Sequence, residues 1–157
     1  MAKQIAGNFD AVYFIAGSGG KAVLEVDLHG AVKTMQAAQI KGLTCYIMLS
    51  TVFLLDTSKW TLPGINELKD YYLSKHYADQ YLVKNSTLNY TIVQASALKE
   101  RESTGKITIN ADSEGENAIK DVAATLVAVL TAENTFKKVL SIQNGDTDIT
   151  EAVANIG

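Results

Sequence analysis

Two uninterrupted apolar runs, Asp10-Ala11-Val12-Tyr13-Phe14-Ile15-Ala16 and Leu43-Thr44-Cys45-Tyr46-Ile47-Met48-Leu49, bracket a stretch with helical spacing. This arrangement restricts the fold more than any other feature of the chain. A run without polar alternation reads as a strand covered on both faces, as happens where helices pack on either side of a parallel sheet. Between the runs, Val32, Met35, Ala38 and Ile40 recur at roughly helical spacing, with Asp27 expected to cap that helix and Gly42 to end it.

The alternation continues. A loop from Ser50 to Gly64 holds the single Trp60 and the single Pro63, and the longest helical pattern then runs from about Ile65 to Asn85. Tyr90 to Val93 reads as a third strand, Glu100 to Gly105 as a charged loop and Lys106 to Asn110 as a short strand. Asn117 to Thr131 reads as an apolar helix, Lys138 to Ile142 as a last strand and Asp148 to Asn155 as a terminal helix. Strands alternating with helices predict an α/β domain built on a doubly wound parallel sheet. With 157 residues, one domain spanning 1–157 is expected.

Charge narrows the partners. Seventeen acids against 14 bases give a net charge of −3 without a basic stripe, which argues against nucleic acid. Cys45 has no second cysteine to bridge and reads as a small buried hydrophobe in a reducing, cytoplasmic protein. Met1 to Ala6 contains no apolar run of leader type, and Val122 to Ala132 is too short to span a bilayer, so no membrane partner is expected. His29 and His76 lack carboxylates or a cysteine at ligand spacing, so no metal is expected.

In doubly wound sheets ligands bind beyond the carboxyl ends of the strands. After the first strand comes Gly17-Ser18-Gly19-Gly20-Lys21-Ala22, which matches G-x-G-x-x-A but lacks an acidic residue after the next strand to take a ribose hydroxyl, so a plain glycine turn stands beside the pyrophosphate reading. After the second strand come Ser50 and Thr51, whose hydroxyls could bind a carbonyl oxygen or simply begin a turn. On the long helix Tyr71 and Lys75 stand four apart, on one face, where the ammonium would favour the tyrosinate and make a proton-transfer device.

These segments in order resemble the short-chain dehydrogenase/reductase superfamily: the strand ending in Ala16-Gly17, then Val26-Asp27-Leu28-His29-Gly30, Met48-Leu49-Ser50-Thr51, Tyr71-x-x-x-Lys75 and Leu88-Asn89-Tyr90-Thr91-Ile92-Val93. More narrowly the chain is similar to small atypical members of NAD(P)-binding, NAD-dependent epimerase/dehydratase-like type. The resemblance implies a Rossmann-like sheet and an NAD(P)-dependent oxidoreductase or epimerase/dehydratase. It makes Tyr71 the proton-transferring residue, Lys75 its activator and a ribose contact, and Thr51, with Ser50 beside it, the group that bonds the substrate oxygen. It places cofactor contacts at Gly17, Ser18, Lys75, Gln94 and Ala95. Asp27 falls where many members carry an active-site asparagine, with a simple helix cap as the other reading.

Two departures follow. Similar proteins carry Arg-Pro-Gly after the third strand, where this chain has Gln94-Ala95-Ser96. The glycine-rich first turn is also lacking, so the fold is expected to be N-terminally truncated by on the order of 60 residues, taking ~30 per strand-helix unit. The first strand would then offer an open apolar edge, and a homodimer through it is expected. A non-catalytic nucleotide-binding or sensing protein, or an inactive truncated remnant that self-associates, is the alternative function.

Overall fold

The computed structural model describes residues 7–157; Met1 to Ala6, the stretch expected to carry no leader, lies outside the described residues. A six-stranded sheet runs in the order β1-β2-β3-β7-β5-β8. Its first four strands, β1 (Ala11–Phe14), β2 (Cys45–Thr51), β3 (Asn89–Ala95) and β7 (Lys138–Asn144), are mutually parallel. The strand expected at 106–110 forms as β5 (Lys106–Ile109), but it joins β7 antiparallel and is followed by the short antiparallel β8 (Thr147–Asp148). The sheet is therefore mixed at that end. A second, two-stranded sheet pairs β4 (Ala97–Lys99) with β6 (Glu116–Ala118).

Both faces of the sheet are covered, as the apolar runs require. On one face Phe14, Tyr46, Met48 and Ile92 pack against Met35 and Ala38 of α1 (Ala31–Ile40) and against Ala78 and Leu82 of α3 (Lys69–Asn85). On the other, Ile47, Val93, Leu140 and Ile142 meet Val122 and Leu126 of α4 (Ile119–Ala128) and Ile149 and Val153 of α5 (Ile149–Ala154). A third cluster gathers Val52, Phe53, Leu54, Ile65 and Tyr72 beside Trp60, whose indole donates to the Phe53 carbonyl at 3.0 Å.

Three local readings change. The long helical pattern is broken into one turn, α2 (Pro63–Asn66), and α3, because the chain bends at residues 67–68. β1 is not covered on both faces: among the described residues it pairs only with β2, and Tyr13 and Ile15 are exposed. Asp27 does not cap a helix. It lies within a π-helical stretch, Val23–Gly30, that runs directly into α1, and it is fully buried. Wide π turns of this kind often occur at functional sites.

Candidate active site

The parallel strands β1, β2 and β3 end together, and their carboxyl ends open into a cleft of about 280 Å3. Ile15, Ala16 and Gly17 line it just after β1, Ser50 and Thr51 from the end of β2, Ala95 and Ser96 from the end of β3 and the residue after it, and Tyr71 and Lys75 from the first half of α3. A second cavity of about 340 Å3 adjoins it, lined by Val52, Ile65, Leu68, Tyr72, Glu114 and Glu116 among others. Thr51 and Tyr71 line both. They therefore stand at the boundary where a molecule in one cavity would meet a molecule in the other.

Tertiary structure thus brings together six of the residues named from the sequence: Ser50, Thr51, Tyr71, Lys75, Gly17 and Ala95. It does not bring Ser18 or Gln94 to the cleft wall. The Ser18 amide donates to Asp27 Oδ2 at 3.2 Å, so this turn faces a carboxylate of its own chain. Gln94 is buried and its amide donates to Asp79 Oδ2 at 3.0 Å, on the helix side of the sheet. Gly19 and Gly20 both have left-handed φ, +62° and +82°, which explains the glycines without any ligand.

Lys75 is 4% exposed. Its ammonium lies 3.9 Å from Asp27 Oδ1 and donates to the Leu49 carbonyl at 3.4 Å, with the Tyr71 ring centroid 6.0 Å away. Such a buried ion pair is costly to break from one side, because the remaining charge is left without a partner. Burial lowers the pKa of the lysine, against the pull of Asp27 and Asp79. The activation of Tyr71 expected from its spacing to Lys75 is not found. Burial, followed by the charge of Asp27, Tyr72 and the charge of Asp79, pushes the Tyr71 phenol up to about 12. At neutral pH it is a protonated donor.

Asp79 is the residue that reasoning from the sequence missed. It stands four after Lys75 and eight after Tyr71, so the i, i+4, i+8 row on α3 was the available signal. It is fully buried, accepts from Ser50 Oγ at 2.9 Å and from Gln94, and burial raises its pKa to about 6 against the two hydrogen bonds and Lys75. His76 is structural: its Nδ1 lies 2.6 Å from the Leu54 carbonyl and its ring meets Trp60 edge-on, 5.2 Å between centroids. Cys45 is only half-buried, and burial raises its thiol pKa. Among the described residues no cluster of His, Cys, Asp and Glu could hold a metal ion, and no helix is long and apolar enough to cross a membrane.

A family described as NAD(P)H-binding matches residues 1–133. The uncharacterized sugar epimerase YhfK of Bacillus subtilis is 38% identical over 152 residues, covering 94% of this chain and 69% of its own length. A UPF0659 protein of Saccharomyces cerevisiae is 34% identical over 148 residues, 88% of this chain and 64% of its own. The crystal structure of the oxidoreductase ylbE from Lactococcus lactis superposes with a TM-score of 0.94 at 48% identity, over 98% of this chain and 69% of that one. The chain therefore spans about two thirds of the length of these relatives.

Proposed function

Because this chain belongs to the NAD(P)H-binding family, among the atypical short-chain dehydrogenase/reductase proteins, we propose that it reduces a small carbonyl compound with NADH or NADPH, using Tyr71 as proton donor. The observation that carries this reading is the position of Thr51 and Tyr71 at the boundary of two adjoining cavities. The cleft beyond β1, β2 and β3 suits the nicotinamide end of the cofactor. Its ~280 Å3 falls just under the roughly 300–1,000 Å3 of complete small-molecule sites, and its wall offers bare backbone at Gly17, small side chains at Ala95 and Ser96, and the Lys75 ammonium for ribose hydroxyls. Beside it, Asp27 Oδ1 and Ser18 Oγ are buried without a hydrogen-bond partner in the protein.

When bound, the reduced nicotinamide supplies a hydride to the carbonyl carbon. Thr51 would hold the carbonyl oxygen, and Tyr71 would give that oxygen its proton as the double bond becomes an alcohol. A phenol raised to about 12 is protonated at neutral pH, the state a proton donor needs. Lys75 would keep a positive charge next to the tyrosinate left behind, which then regains a proton from solvent. The second cavity combines apolar walls with the Glu114 carboxylate, Glu116 being paired with Lys99 and Arg101, so neutral substrates fit better than anionic ones.

Calorimetric titration with NADH and with NADPH tests the reading. A dissociation constant of roughly micromolar order is expected for at least one of them. Absence of binding by both at millimolar concentration would overturn it.

The open edge of β1 supports a second proposal, a homodimer joined along that strand. Among the described residues the far edge of β1 has no pairing strand, and with the exposed Tyr13 and Ile15 it is a template for association. Light scattering is expected to give twice the 16.9 kDa chain mass, and a monomer at all concentrations would dismiss it.

A further inference from the structure

Asp79 does not line the cleft itself and reaches its wall through Ser50. Its carboxylate is held at both oxygens: Ser50 Oγ donates to Oδ1 at 2.9 Å and Gln94 Nε2 donates to Oδ2 at 3.0 Å. Ser50 and Gln94 face each other in register on β2 and β3, so the carboxylate bridges the ends of two strands. One turn earlier on α3, Lys75 donates to the carbonyl of Leu49, the neighbour of Ser50. The helix is thus tied to the end of β2 at two successive backbone positions.

The Ser50 bond has a direction. A hydroxyl has one proton and two lone pairs, and an ionised carboxylate can only accept. While Asp79 is ionised, the Ser50 proton points inward and only lone pairs are left for the cleft that Ser50 lines. When Asp79 carries a proton, its own O–H can donate to Ser50, and the Ser50 proton is free to point at a ligand oxygen. We propose that Asp79 is a positioning residue that sets the direction of the Ser50 hydroxyl, making Ser50 an acceptor in the cleft when Asp79 is ionised and a second donor to a substrate carbonyl oxygen when it is protonated. This rests on the reductase reading of the cleft.

The charged and titratable groups around Asp79 are Lys75 and Tyr71 on its own helix and, on the far side of the Lys75 ammonium at 3.9 Å from it, Asp27 from the π-helical stretch. Burial opposes the ionised carboxylate, and the Gln94 and Ser50 hydrogen bonds, followed by Lys75, favour it, with the balance at about 6. The direction of the Ser50 bond therefore changes within the range in which most proteins remain folded.

The test follows the side-chain carboxyl carbons of 13C-aspartate-labelled protein by NMR between pH 4.5 and 8, assigned by Asp79→Asn. In that variant Gln94 can turn its amide to accept from the new Nδ2, so both strand ends keep their bonds. The wild-type Asp79 carbon is expected to titrate with a midpoint near 6, and Ser50→Ala, which removes a donor to the ionised form, is expected to raise that midpoint by about half to one unit. In parallel, the NADPH-dependent reduction of an ortho-quinone, a general carbonyl probe, is expected to quicken several-fold as pH falls through the midpoint in the wild type and to lose that limb in Asp79→Asn and in Ser50→Ala. A midpoint that Ser50→Ala leaves in place, or a rate limb that survives Asp79→Asn, would overturn the proposal. If no variant reduces the quinone, the reductase reading falls and with it the donor role of Ser50 toward a substrate carbonyl, while the carbon midpoints still decide whether Asp79 sets the direction of the Ser50 hydroxyl.

Discussion

Replacing Tyr71 with Phe is expected to lower NAD(P)H-dependent carbonyl reduction by roughly 10²–10⁴-fold, the range for removal of a positioned general acid. The substitution removes one oxygen from a residue that lines both cavities and leaves the ring that packs edge-on against Tyr72, 6.0 Å between centroids. Dinucleotide affinity is expected to stay within about two-fold, because the proposed reading gives the cofactor contacts to Gly17, Ala95, Ser96 and Lys75 and the phenol oxygen to the substrate. Steady-state rates beside calorimetric titration separate the two quantities. Turnover preserved in Tyr71→Phe would mean that another group, or solvent, supplies the proton. Loss of binding and turnover together would mean that the phenol holds the cofactor and does not act on the substrate.

The largest effect on stability is expected at Asp121, in the first turn of α4. Its side chain is fully buried and is the acceptor at the centre of a turn. The amides of Thr104 and Gly105 donate at 3.1 and 3.0 Å, the Thr104 hydroxyl at 3.1 Å and Asn144 Nδ2 at 3.3 Å, and the Ser103 hydroxyl makes a further short contact. Burial alone would raise the pKa of this carboxylate, but the Ser103 hydroxyl and the Thr104 and Gly105 donors outweigh burial and hold it below the ordinary aspartate value. Asp121→Ala would remove the acceptor from several donors of this partly exposed turn, and a loss of roughly 1–3 kcal/mol is expected. Urea unfolding checks this, at a constant slope. The sign with pH follows from the depressed pKa: the contribution of Asp121 is present above the unfolded-state value and is lost as pH falls through the folded-state one. A midpoint within a few tenths molar of the wild type would show that solvent replaces the carboxylate.

Charge at Glu100-Arg101-Glu102 marked this turn as a solvated loop, and at its surface it is one: Arg101 pairs with Glu116 at 3.2 Å among exposed side chains. Nothing in the order of residues signals that Ser103, Thr104 and Gly105 lie against a carboxylate 16–18 positions later. Gly145 is similar. A Cβ there would lie 2.4 Å from the Thr108 amide nitrogen, so the glycine is required by a neighbouring strand that cannot be located from its own sequence context.

The elements themselves were legible because their signals are local. Strand runs, helical spacing and the four-residue step from Tyr71 to Lys75 depend on neighbours a turn or less apart; the structure keeps the strands and that step, with the long helix shortened to Lys69–Asn85. The same local rule suggested that the lysine would lower the pKa of the tyrosine. It could not weigh the burial of the phenol or the approach of Asp27 from a π-helical stretch more than forty residues earlier. Likewise Ser50 and Asp79, 29 residues apart, become partners only when α3 packs on the end of β2. Sequence by itself therefore determined which chemical groups stand on which helix and at which strand ends. Tertiary structure alone decided their protonation and the direction of their hydrogen bonds, since both depend on desolvation and on charges brought close by packing.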